Sequence, residues 1–129
     1  MGRSQQRKGR DAELELVRIL NDYGIPAAPG AALSYGTQAD VVNVAGVHVE
    51  VKRHERLEIG AWMEQAERDA DRFGGWPCVF YRRNRESWHV AMPLDAWVEM
   101  YLSWIKGESD RDQEETSAQN SEGQSRPVG

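Results

Sequence analysis

The run Val47-His48-Val49-Glu50-Val51-Lys52 carries two kinds of side chain in strict alternation. In an extended strand successive side chains point to opposite faces. The three valines then face a core, and His48, Glu50 and Lys52 share the other face. A carboxylate and an ammonium so placed lie roughly 6–7 Å apart. Taken alone, that pair reads as a surface ion pair. Asp40 changes the reading, and its position depends on the turn. A two-residue turn at Ala45-Gly46 would pair Asp40 with Val51 and send it to the valine face. A three-residue turn, Val44-Ala45-Gly46, pairs Asn43 with Val47 and Asp40 with Glu50. That turn needs glycine at its left-handed last position, where Gly46 stands. It also sets Val41 opposite Val49 in the core. Pattern and turn chemistry agree on this second register, which puts two carboxylates side by side with a lysine next along.

Two adjacent carboxylates repel unless a cation sits between them. Hard oxygen donors with open positions suit Mg²⁺, with Mn²⁺ as a substitute. Such an ion can hold a phosphate oxygen, acidify a bound water and stabilise a leaving oxygen. A lysine beside it can orient that water and offset charge in the transition state. Asp40, Glu50 and Lys52 thus form a set able to hydrolyse a phosphodiester. A further acid belongs with them. At 100° per residue the stripe Leu14, Leu16, Val17, Ile19 and Leu20 centres close to Glu13, whereas Glu15 points away with Asp11, Arg18 and Asp22. An acid on a buried face needs a partner, and a metal ion is one. The alternative is a first-turn glutamate favoured by the helix dipole.

The elements that would position these residues follow from periodicity. A helix is predicted over Asp11 to Asp22. Residues 25–38 are rich in Pro, Gly and Ala and predict an irregular connection with a short strand near Ala31 to Tyr35. Strands are expected at Asp40 to Asn43 and Val47 to Arg53. A second helix runs from Ile59 to Phe73, with Ile59, Trp62, Met63, Ala66, Ala70 and Phe73 on one face and Gly74-Gly75 ending it. Pro77 to Tyr81 and Trp88 to Met92 form another hairpin, and Pro93 opens a last helix. The order α-β-β-β-α-β-β-α predicts an α/β fold with a central mixed sheet of about five strands flanked by helices.

The 129 residues suit a single domain, and the net charge of −5 at first argues against a nucleic-acid partner. Its distribution weakens that objection. Six acids (Glu108, Asp110, Asp112, Glu114, Glu115 and Glu122) but only Arg111 and Arg126 lie after Lys106, so the body is close to neutral. Its bases cluster at Arg3, Arg7, Lys8 and Arg10, at Lys52, Arg53 and Arg56, and at Arg82, Arg83 and Arg85. Such clusters can grip phosphate or can be ordinary solvated charge. The expected organisation is a flexible basic arm over 1–9, a folded domain over 10–106 and a disordered acidic tail over 107–129. The single cysteine, Cys78, excludes an intramolecular disulfide and a cysteine-based zinc site, and it fits an intracellular, cytoplasmic setting. No apolar run reaches the length of a membrane span, and no secretory signal precedes the first helix.

The run Asp40 to Lys52 resembles the D…(D/E)-X-K core of the PD-(D/E)XK nucleases, with Ala39 in place of the namesake proline. The segments GRDAELELVRILNDYGIPA, ALSYGTQADVV and VEVKRHERL resemble, within that superfamily, the archaeal-type Holliday junction resolvases over about residues 8 to 82. The resemblance implies a restriction-endonuclease-like fold and a metal-dependent endodeoxyribonuclease acting on branched or duplex DNA as a homodimer. It implies that Glu13, Asp40 and Glu50 hold one or two Mg²⁺ ions and that Lys52 serves the attacking water. Arg10 would contact phosphate, Ser34 or Tyr35 would approach the scissile phosphate, and Gln65 falls where many members carry a glutamine. The basic residues Arg53, Arg82, Arg83 and Arg85 are further candidates for DNA contact. His48 reads as a DNA contact or a plain strand residue, and His54 and His89 lack metal spacing. Two rival readings stand beside the junction resolvase. One is a nuclease of the same fold with a restriction, repair or phage task. The other is a catalytically silent binding module.

Overall fold

A computed structural model describes the backbone of residues 2–30 and 39–125, and side chains over 7–30 and 39–118. Two compact units divide the chain, Met1–Pro93 and Leu94–Gly129. In the first, helix α1 (Gly2–Asp22) precedes strands β1 (Ala28–Pro29), β2 (Val41–Val42) and β3 (Val47–Arg53). Helix α2 (Ile59–Phe73) then crosses to β4 (Trp76–Arg82), and β5 (His89–Ala91) returns beside it. The five strands lie in chain order, antiparallel except for β3 and β4, which run parallel across the α2 connection. This is the predicted mixed α/β sheet. The expected strand near Ala31 to Tyr35 lies outside the described residues.

The register that the chemistry required is present. Val41 faces Val49 as expected, but the three-residue turn is not what sets it. The Val47 amide donates to the Val44 carbonyl (3.1 Å) across a two-residue Ala45-Gly46 turn with Gly46 at φ 78°, and the amide of Asp40 donates to the Val49 carbonyl (2.9 Å). Asn43 also adopts a left-handed backbone (φ 65°), so β2 shrinks to two residues. Asn tolerates that conformation better than most residues because its side chain can bond locally.

Each helix covers one face of β3. Ala12, Leu16 and Leu20 of α1 pack with Val41, Val49 and Val51, as the valine alternation predicts. Trp62 and Ala66 of α2 pack on Val79 and cover the opposite face. Burying each of these leucines and valines stabilises the fold by roughly 1.5–3 kcal/mol. The strand is therefore covered on both sides, and His48 and Glu50 are as buried as the valines. Gly75 (φ 92°) allows the chain entering β4 to press on β3. A Cβ there would sit 2.9 Å from the amide nitrogen of His48.

Both ends of the chain differ from expectation. α1 begins at Gly2, so residues expected as a flexible arm continue the helix. In the second unit α3 runs Leu94–Ser125, through most of the segment expected to be disordered. Gln, Glu, Lys and Arg are good helix formers even where nothing apolar is buried. An Arg111–Glu108 pair at 2.7 Å adds an i,i+3 contact. Among the described residues no helix is long and apolar enough to cross a membrane.

Candidate active site

The carboxyl end of β3 opens into a cleft of about 430 Å³ lined by Lys8, Gly9, Glu13, Asp40, Val51, Lys52, Arg53, His54 and Glu55. Three elements meet there. α1 brings Glu13 and Lys8, the residue before β2 is Asp40, and β3 brings Lys52 and Arg53. Asp40 is held by its own backbone pairing and by its carboxylate, which accepts from the Val51 amide at 2.7 Å. Lys52 Nζ donates to Gln65 Oε1 of α2 at 3.1 Å, which aims the ammonium. Glu13 is half-buried, and its pKa is pushed up to about 7. Loss of solvent is the main cause, the Asp40 charge adds to it, and Arg10 opposes it.

Glu50 lies deeper. It is 1 % exposed, and its pKa is pushed up to about 9, first by burial, then by the Asp40 charge and by Asp69. Its Oε1 lies 2.9 Å from His48 Nε2. That is ion-pair distance, yet burial lowers the pKa of His48 while raising that of Glu50. Both shifts favour the neutral forms over an ion pair.

Sequence reasoning missed Asp69. The signal was available, since Asp69 lies four residues after Gln65, one turn along the α2 face turned toward Lys52. It also missed Lys8 and His54 in the cleft.

The structure brings Glu13, Asp40 and Lys52 to one cleft, with Glu50 behind Asp40. Arg10 is exposed on α1, near enough to act on Glu13. Gln65, expected at the DNA, accepts a hydrogen bond from Lys52 through its side-chain oxygen. Arg53 Nε donates to Asn84 Oδ1 at 3.0 Å, which ties the turn after β4 to the cleft. Arg83 and Arg85 are exposed on that turn, and Arg85 adopts φ 62°.

Arg82 is a correction. It was expected to grip DNA but is buried, because alternation along β4 turns it inward, opposite to Arg83. Its Nε and Nη2 both donate to Glu15 at 2.9 Å, and Nη1 donates to the Arg83 carbonyl. The Trp88 indole donates to the same carboxylate at 2.8 Å. Glu15 thus does not point to solvent as expected. It anchors α1 to β4 and to the start of β5. Ser34 and Tyr35 lie outside the described residues.

A mixed sheet with an aspartate before β2 and an E-X-K run on β3 defines a nuclease of the PD-(D/E)XK class. Residues 4–121 match the model of the family described as "Phage putative PDDEXK endonuclease", and the chain belongs to that family. Among solved structures it is similar to Hjc, a Holliday junction resolvase from the archaeal hyperthermophile Archaeoglobus fulgidus. That match has 23% identity, covers 66% of this chain and 72% of that one, and has a TM-score of 0.49. Comparison with curated proteins gives no match.

Proposed function

We propose that this nuclease is a metal-dependent endodeoxyribonuclease that cuts four-way junctions as a homodimer inside the cell. The observation that carries the enzymatic reading is the meeting of Glu13, Asp40 and Lys52 in one cleft, with Glu50 beside Asp40. The donor set fits a hard divalent ion. Glu13 and Glu50 are both raised toward protonation by burial and by the Asp40 charge, which is the deficit a cation would relieve. Glu13, Asp40 and Glu50 would hold Mg²⁺, or Mn²⁺ in its place. When bound, that ion supplies charge neutralisation at the phosphate and a water of lowered pKa. Lys52, aimed by Gln65, orients the attacking water and offsets negative charge as the phosphorus is attacked. Lys8, Arg10, Arg53, Arg83 and Arg85 ring the cleft mouth and the neighbouring turn, and they would hold the DNA backbone. The junction substrate and the dimer rest on the sequence resemblance over residues 8 to 82. The family description favours a second reading, a phage DNA-processing nuclease acting on duplex.

The test is cleavage of a labelled four-way junction, a linear duplex and single strands, with Mg²⁺, with Mn²⁺ or with EDTA. Symmetric nicks on the junction alone support the first reading, and cutting of plain duplex supports the second. Wild type and Lys52→Ala behaving alike, without cleavage under either metal, would overturn both.

A further inference from the structure

The face of β3 turned toward α2 holds a cluster that the cleft does not use. One ring nitrogen of His48 and one carboxylate oxygen each of Glu50 and Asp69 all lie within 4.8 Å of one another. The imidazole is 3 % exposed and Glu50 1 % exposed, and Asp69 closes the group from α2. Two carboxylates meet here, and among the described residues neither forms a salt bridge with lysine or arginine. The imidazole aims a nitrogen into this pair, with His48 Nε2 2.9 Å from Glu50 Oε1.

From this geometry we infer a second divalent-cation site made of His48, Glu50 and Asp69, separate from the cleft site but sharing Glu50 with it. One nitrogen and two oxygen donors suit the borderline ions Mn²⁺, Co²⁺ and Zn²⁺ better than Mg²⁺, whose ligands are almost all oxygen. The three ligands come from two rigid elements, so the site is largely preformed. Gly75 contributes by letting the backbone close over His48. An ion there neutralises the carboxylates and fixes the orientation of Glu50 toward Asp40. The enzyme should therefore work better with Mn²⁺ than with Mg²⁺ alone. The site rests on the proposed cleft site only through the shared Glu50.

The test is Mn²⁺ binding to the whole protein without DNA, read as stoichiometry and as ¹⁴N coupling in electron spin-echo spectra. Wild type should bind two Mn²⁺ per chain, one of them nitrogen-coupled. Asp69→Asn, at a half-buried helix position that tolerates the change, should bind one and lose the coupling. His48→Gln should do the same, with circular dichroism to check its fold. Asp40→Asn should remove the uncoupled ion and keep the coupled one. A single uncoupled Mn²⁺ in wild type, unchanged in Asp69→Asn, overturns the inference. If wild type cleaves no DNA but retains the coupled ion, the nuclease reading fails and this site stands.

Discussion

The buried Glu50 makes the metal-free protein sensitive to alkaline pH, and Glu50→Gln should remove that sensitivity. Its carboxyl is pushed up to about 9 in the folded chain, mainly by burial, from the 4.5 of an ordinary glutamate. Between those values unfolding releases a proton, so stability falls as pH rises. Glu50 dominates the window from pH 7 to 8.5. The lowered values of His48 and His54 act mainly below 6.5. Glu13, near 7, finishes ionising early in the window and adds a small loss of the same sign, and Cys78, pushed up to about 11, adds loss only as the pH nears the ordinary thiol value. Each pH unit in that window should cost about 1.4 kcal/mol, so the loss is on the order of 2 kcal/mol. For a domain of this size that is a fall of roughly 10 °C in Tm. Urea denaturation and thermal melts in EDTA at both pH values read it directly. Glutamine keeps a hydrogen-bond partner for His48 and carries no proton to lose, so the variant should hold nearly constant stability across the window. Saturating Mn²⁺ should abolish the pH dependence of wild type, because the bound ion stabilises the ionised form. Parallel loss in wild type and variant, or a flat wild-type profile in EDTA, would refute the placement of Glu50 in a dry, anionic site.

Gln65→Ala should lower the cleavage rate about tenfold through loss of one hydrogen bond to Lys52, with little change in melting temperature, and Gln65→Glu should retain more activity because it keeps the acceptor. Glu15→Ala should destabilise the protein by about 2–3 kcal/mol in urea, because it strands the buried Arg82 guanidinium and the Trp88 indole; an unchanged midpoint would show that the contact contributes nothing. Arg83→Ala and Arg85→Ala should each reduce the slope of log DNA affinity against log salt by about one, whereas Arg82→Ala should leave the slope alone and lower stability instead.

Much of this site was legible in the sequence because β-structure has a simple grammar. The valine alternation was enough to set Val41 against Val49, but the turn was misassigned, since the chain reaches that register with a two-residue turn and a left-handed Asn43 in place of the expected three-residue turn. The α2 stripe was equally plain, with Trp62, Ala66 and Ala70 buried as its spacing demands. What escaped the sequence was which polar residues share a neighbourhood across elements. Glu15 was assigned to solvent on its helical angle alone, and Arg82 to a hairpin tip. Their pairing over 67 positions depends on how α1 lies against β4, which no local pattern encodes. Asp69 escaped for the same reason, although its spacing from Gln65 hinted at it.

The same comparison explains how a chain of this size tolerates such a site. A half-buried strand would have left Glu50 wet and ordinary. Because α2 covers that face, Glu50 is dry, and its ionisation opposes folding. The stabilising contact joins α1 to β4. There the carboxylate of Glu15 accepts bonds from Arg82 and Trp88 and has a pKa lowered mainly by the Arg82 contact. Lowering means that its contribution is present at neutral pH and is lost only as acid protonates it. Of two acids two residues apart on α1, Glu15 is paired with Arg82, whereas among the described residues Glu13 has no salt-bridge partner. Under the proposed function that division leaves one carboxylate for the ion while its neighbour holds the helix in place.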